Sequence, residues 1–189
     1  MNFVGIDPAV NNIGVTVIDN DGNHIDGELI QNEDKKGYDI LENTKGVLKR
    51  IIEKHKPIAI GQEDTIYGGF AKKGIDRSCD LSYMAGTIDS LCGEYGYTEN
   101  NLSLIKIPNK TWQKYVWGLA GKYNKKKAIA RYASAMSECL KFVYKEAELD
   151  LADAHAVAVT VRDIWLVTRD LISPLDLSDA QIESLLSRS

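Results

Sequence analysis

Apolar and polar positions along the first thirty residues follow the two-residue period of strands. In "NFVGIDPAVNNIGVTVID", Phe3, Val4 and Ile6 make one apolar run, and Ile13, Val15 and Val17 then alternate with smaller or polar residues. "DNDG", Asp19 to Gly22, is a turn signal, and "NHIDGELIQ" supplies a third strand. Three tightly joined strands predict an antiparallel meander. The period then changes: Ile40, Leu41, Thr44, Val47, Leu48, Ile51 and Ile52 share one face of a helix that ends near Pro57. "IAIGQE", Ile58 to Glu63, is a short buried strand after that helix, which predicts that it runs parallel to the first strand. "DTIYGGFAKKG" reads as an exposed loop. The next helix runs from about Asp76 to Tyr95, with Leu81, Met84, Ile88 and Leu91 at helical spacing. "LSLIKI" is a fifth strand stopped by Pro108. From Thr111 the pattern is helical, interrupted around Gly118 to Asn124 and resuming near Lys125. Another helix spans about Asp150 to Leu171, and "SDAQIESLL" carries a capping box, Ser178 and Gln181, before a short final helix.

The order β-β-β-α-β-α-β-α-α predicts one mixed α/β domain with a five-stranded sheet, three strands antiparallel and then two parallel, flanked by helices. At 189 residues the chain suits a single domain with a substantial core. Its 44% apolar and 26% charged composition is ordinary for a globular protein, and no apolar run approaches the ~20 residues needed to span a bilayer. No basic region followed by an apolar segment marks a secretory leader. Cys79, Cys92 and Cys139 are odd in number and widely spaced, so they read as reduced thiols, the first two core-facing, in a cytoplasmic protein.

Net charge is −4, but it is unevenly distributed. Between Lys106 and Lys145, ten basic residues face one acid, Glu138, a local charge of +9 that leaves −13 on the remainder. Trp112, Tyr115, Trp117, Tyr123 and Tyr132 interleave with Lys110, Lys114, Lys122, Lys125, Lys126, Lys127 and Arg131, a pattern suited to nucleic acid. A solvated helix face with core aromatics is the competing explanation.

The acidic residues sharpen the picture. Asp7 closes the first strand and Glu63 the fourth, so in a mixed sheet the two can meet at one rim. "LDLADAHAVAV" places Asp150 and Asp153 three residues apart, on one face of an otherwise small and apolar helix. Acids beside such a surface are costly unless neutralised. A divalent cation would do this, and oxygen ligands without Cys or a His cluster favour Mg²⁺, or Mn²⁺ in its place, over zinc. A helix-cap role would explain Asp150 but not Asp153. Asp64 points to the opposite strand face from Glu63 and is read as solvated. His24, His55 and His155 receive no role, and Gly118, Gly121 and Lys122 do not complete a phosphate loop.

"VGIDPAVNNIGV", "AIGQE", "IPNKTWQKYVWGLAGKYNKKKAIARYA" and "LDLADAHAVAV", in this order over roughly Asn2 to Asp170, resemble the RuvC-type Holliday junction resolvases. The resemblance implies a ribonuclease H-like fold over residues 1–170, followed by a C-terminal extension, 171–189, without a family counterpart. It also implies a homodimer that nicks both strands of a four-way DNA junction with two Mg²⁺ ions. Asp7, Glu63, Asp150 and Asp153 match the metal-binding acids, and Lys126 resembles the lysine facing the scissile phosphate, a role open to Lys125 or Lys127 under a one-residue shift. Tyr67 or Phe70 stands for the aromatic that enters the junction, with Lys72 and Lys73 beside it on the DNA. Ala9 replaces a usual glycine. These departures suggest a phage-type or outlying member, acting in the cytoplasm of a bacterium or a phage-infected host. A nuclease of the same fold acting on flaps, forks or RNA/DNA hybrids is the alternative, and a non-catalytic junction-binding protein is another. Sugar kinases and actin-like ATPases share the strand–Asp–turn opening but need a second, duplicated domain.

Overall fold

The computed structural model describes residues 1–9, 11–32, 34–35, 37–64, 75–96, 102–117, 130, 132, 134–135 and 149–186. Strand β1 (Phe3–Asp7) pairs antiparallel with β2 (Asn12–Ile18), and β2 antiparallel with β3 (His24–Gln31). Helix α1 (Tyr38–His55) returns the chain so that β4 (Ala59–Asp64) lies parallel to β1. Helix α2 (Ile75–Tyr95) does the same for β5 (Ser103–Pro108), which lies parallel to β4. The sheet order is β3-β2-β1-β4-β5. Helices α3 (Asn109–Trp117), α4 (Leu149–Val167) and α5 (Asp179–Leu186), with a 3₁₀ turn at Pro174–Asp176 before the last, complete the described elements. This is the mixed sheet expected from the sequence, with three antiparallel and two parallel strands.

Strand alternation sorts the side chains into two cores. Val4, Ile6, Ile13, Val15, Val17 and Ile60 face α1 and α2, where they meet Val47, Leu48, Ile51, Ile52, Met84, Ile88 and Leu91. Phe3, Ile18, Ala59 and Ile107 face the other side, with Trp112 and, from α4, Val157 and Val161. The apolar stripe of α2 is therefore core, and its outward face carries Tyr83, 67% exposed. Cys92 is buried on the same helix, and burial pushes its thiol up to about 12.

Two helix ends follow from local chemistry. Lys56, in the left-handed conformation, closes α1 just before Pro57 by donating its backbone N–H to Ile52 O at 2.8 Å. The sequence suggested that α4 runs to Leu171, but it stops at Val167. Asp170 has φ 54°, its N–H reaches Val167 O at 3.1 Å, and the N–H of Leu171 reaches back to Leu166 O at 3.0 Å. That double closure is a Schellman motif, which turns the chain out of the helix. The capping box of α5 forms as expected: Ser178 N donates to Gln181 Oε1 at 2.9 Å, and Gln181 N to Ser178 Oγ at 3.4 Å. Helix α5 packs against α3.

The breadth of α4's burial explains its composition. Its residues from Ala154 to Val161 are all buried, because it lies across β1, β2 and β4. A Cβ on Gly5 would collide with Ala154 O and Ala158 N, and one on Gly14 with Asp150 O. Glycines on the strands opposite alanines on the helix let the two backbones touch. Thr16 Oγ1 then donates to Leu151 O at 3.1 Å, fixing the start of α4 over β2.

Candidate metal centre

The four acids reach one place by three routes. The parallel register of β1 and β4, with Ile6 opposite Gln62, brings the carboxyl ends of both strands level, so Asp7 and Glu63 sit side by side on the face covered by α4. Asp7 pairs across β1/β2 with Gly14, and Gly14 lies under the backbone of Asp150. One turn further along α4, Asp153 shares the face of Asp150. Electrostatics records the result. The Asp7 carboxyl is held well above the usual carboxylate range, first by burial and then by the charges of Glu63, Asp153 and Asp150.

Glu63 is treated differently. Burial raises its carboxyl, but Asn109 and Trp112 act in the opposite direction. Asn109 Nδ2 donates to Glu63 Oε1 at 2.8 Å, and Trp112 Nε1 donates to Oε2 at 2.9 Å. Both donors come from α3. Trp112 is fully buried, and Tyr115 on the same helix donates to Asp163 Oδ2 at 2.7 Å, tying α3 to α4. Asp163 is held from its other side by the Arg162 guanidinium.

The donor set is all carboxylate oxygen, which suits a hard divalent cation, and the repulsion felt by Asp7 is of the kind such a cation offsets. Among the described residues, however, no three His, Cys, Asp or Glu groups are already set as a metal cage. The acids are electrostatic neighbours and not a closed coordination shell.

Of the other candidates, Lys110 and Lys114 are exposed on α3, beside Glu63's two donors. Tyr67, Phe70, Lys72, Lys73, Lys122, Lys125, Lys126, Lys127 and Arg131 lie outside the described residues, as does the helix expected to restart near Lys125. Trp112, Tyr115 and Tyr132 are buried, so the core explanation holds for these three aromatics. Asp64 is half-buried at the end of β4 and engaged in an interaction. His24 and His155, left without a role by the sequence, are buried against Tyr132, with ring centroids 5.0 and 5.4 Å from it. Asn109 was missed. A polar residue next to Pro108, where β5 passes directly into α3, was the available signal.

By sequence, no family model and no curated protein matches the chain. By structure it is similar to Thermus thermophilus RuvC in complex with Holliday junction substrate, with TM-score 0.65, 15% identity, and 84% of this chain and 91% of that one covered. It is also similar to the yeast mitochondrial Holliday junction resolvase, with TM-score 0.56, 16% identity and 82% and 75% covered. Fowlpox virus resolvase with its substrate junction DNA gives TM-score 0.51, 16% identity and 88% and 99% covered. The mixed five-stranded sheet and the helices flanking it thus form the ribonuclease H-like fold of these structures.

Proposed function

We propose that this chain is a metal-dependent, structure-specific endonuclease that resolves four-way DNA junctions by paired nicks. The observation that carries the reading is the convergence of Asp7, Glu63, Asp150 and Asp153 from three elements at one end of the sheet, on a fold shared with resolvases solved on junction DNA. In this reading the four acids hold two Mg²⁺ ions, for which Mn²⁺ can substitute. When bound, such ions supply an activated water and stabilise the leaving oxygen of a phosphodiester.

The chain's own residues divide the remaining work. Asp7, which feels the charges of Glu63, Asp153 and Asp150, sits between Glu63 and the α4 pair. Lys110 and Lys114 project from α3 into solvent and bind backbone phosphates. We assign Lys72, Lys73, Lys122, Lys125, Lys127 and Arg131 to DNA contact, Lys126 to the scissile phosphate, a role open to Lys125 or Lys127, and Tyr67 or Phe70 to the junction. Residues 1–170 form the nuclease domain and 171–189 an extension. The protein works as a homodimer in the cytoplasm of a bacterium or a phage-infected host. No helix among the described residues is long and apolar enough to cross a membrane.

Labelled four-way junction, fork, flap and RNA/DNA hybrid substrates, incubated with Mg²⁺, test the reading. The junction is expected to be cut fastest, with symmetric nicks. Asp7→Asn, Glu63→Gln and Asp153→Asn each keep size but remove ligand charge, so each is expected to lower cleavage by at least ~100-fold while junction binding is retained. Strong Mg²⁺-dependent cleavage by Asp7→Asn would overturn the site. Preference for flaps or hybrids would move the substrate class, and binding without cleavage would leave a junction-binding protein.

A further inference from the structure

The two side chains on Glu63 form an arrangement that the metal reading does not itself require. Strand β5 lies on the opposite side of β4 from β1, and its register sets Ile107 against Glu63 and Pro108 against Asp64. Helix α3 begins at the next residue, Asn109, with no intervening loop. Its first turn therefore stands over the end of β4, and residues 109 and 112, three apart, present donors from one face. Each takes a different oxygen of the same carboxylate, Asn109 at 2.8 Å on Oε1 and Trp112 at 2.9 Å on Oε2. The positive end of the α3 dipole adds to the attraction.

We infer that Asn109 and Trp112 are positioning residues that fix Glu63 as a ligand, a role that rests on the metal-dependent reading above. A carboxylate oxygen has two lone pairs, and an indole N–H and an amide N–H can only donate. One donor per oxygen consumes one lone pair on each and leaves the second on each available. The donors approach from the β5 side, and Asp7 lies on the β1 side. A lone hydrogen bond to one oxygen would let the carboxylate swing about its terminal torsion, which is soft in Glu; two opposed donors remove that freedom. The geometry of an outer donor orienting a ligand is worth ~10–100-fold in metal affinity in comparable sites.

Burial alone does not account for the pair. Trp112 is fully enclosed and its N–H needs an acceptor, but Asn109 is exposed and water would satisfy its amide equally well. Helix α3 is itself braced from two sides, by the Tyr115–Asp163 hydrogen bond to α4 and by α5 packed along it. The clamp on Glu63 is thus attached to fixed elements.

The test is Mn²⁺ binding by the full chain without DNA, measured by titration calorimetry, alongside junction cleavage at increasing Mg²⁺. Asn109→Ala and Trp112→Phe are each expected to weaken Mn²⁺ affinity by ~10–100-fold and to raise the Mg²⁺ needed for half-maximal cleavage in proportion, with cleavage recovering at high Mg²⁺. Asn109→Ala removes an exposed side chain and leaves Trp112 on Glu63, so it is expected to fold, with a melting temperature only slightly lowered by the lost hydrogen bond; it carries the test if Trp112→Phe fails to fold. Wild-type cleavage with unchanged Mn²⁺ affinity in Asn109→Ala would overturn the positioning role and leave the nuclease reading standing. Absence of Mn²⁺ binding by the wild type would overturn both.

Discussion

His24 begins β3 with 3% of its surface exposed, edge-on to Tyr132 with ring centroids 5.0 Å apart and 6.2 Å from His155. Burial pushes its imidazole down from 6.5 to about 4, and the charge of Asp26 on the same strand only partly opposes this. Between those two values the unfolded chain takes up a proton that the folded chain refuses, so stability falls as the pH falls through this window and is unaffected above it. At pH 5 this amounts to about 2 kcal/mol. The stability advantage of wild type over His24→Gln, measured by urea unfolding, is expected to shrink by about that much between pH 7.5 and pH 5. A constant difference would show that His24 is not held neutral by its surroundings. At this scale the sequence was partly legible. The four acids could be picked out because their positions, at strand ends and three apart on a helix, follow from local periodicity. His24 could not, since its burial depends on Tyr132 arriving from a distant part of the chain. Trp112 was likewise visible only as an aromatic among lysines, because its partner, Glu63, is chosen by the register of β5 on β4.

At the scale of elements, the alanines of "LDLADAHAVAV" announced a helix packed closely on a sheet, and the structure adds what they meet. Gly14 lies directly beneath the α4 backbone at Asp150, and Gly5 beneath it at Ala154, the residue after Asp153. A side chain on either strand position would lift α4 off the sheet and carry two of the four acids away from Asp7. Gly5→Ala is therefore expected to destabilise by ~1–3 kcal/mol, as overpacking does, and to reduce cleavage beyond what the lost stability explains. Gly46 supplies the opposite case. It lies exposed within α1 with nothing within 4 Å of an added Cβ, so Gly46→Ala is expected to stabilise by ~0.5–1 kcal/mol and leave cleavage unchanged. Thermal unfolding with parallel cleavage rates separates the two, and a neutral Gly5→Ala would mean that α4 can move without cost. Which glycines needed to be glycine was not legible from the strand pattern alone. Gly5, Gly14 and Gly46 look equally permissible until α4 is laid across the first two.

For the whole molecule, one chain brings together one set of four acids, while a four-way junction presents two equivalent strands for cutting. A twofold-symmetric pair of chains would supply two identical sites in one binding event, whereas a monomer would have to release and rebind between nicks. In the sequence, the stripe Leu81, Met84, Ile88 and Leu91 on the helix after the Tyr67–Phe70 segment suits an interface or plain core equally well. In the fold Met84, Ile88 and Leu91 are spent on the core, so the stripe itself cannot pair chains. The outward face of α2 remains, with Ser82, Tyr83, Gly86 and Ser90 exposed and Tyr83 the one large apolar group exposed among its described side chains. Small residues around a protruding aromatic allow two such helices to approach closely. The expectation is a homodimer at micromolar concentration that linearises a cruciform plasmid without accumulating nicked circles. Tyr83→Glu, which sets like charges against each other across the axis, is expected to yield monomers, shift plasmid products to nicked circles and leave α2 folded. Sedimentation and the plasmid assay together decide it. A wild-type chain that stays monomeric on the junction and gives only nicked circles would exclude paired cleavage and favour a nuclease for flaps or hybrids, and a Tyr83→Glu variant that remains dimeric would move the interface off α2.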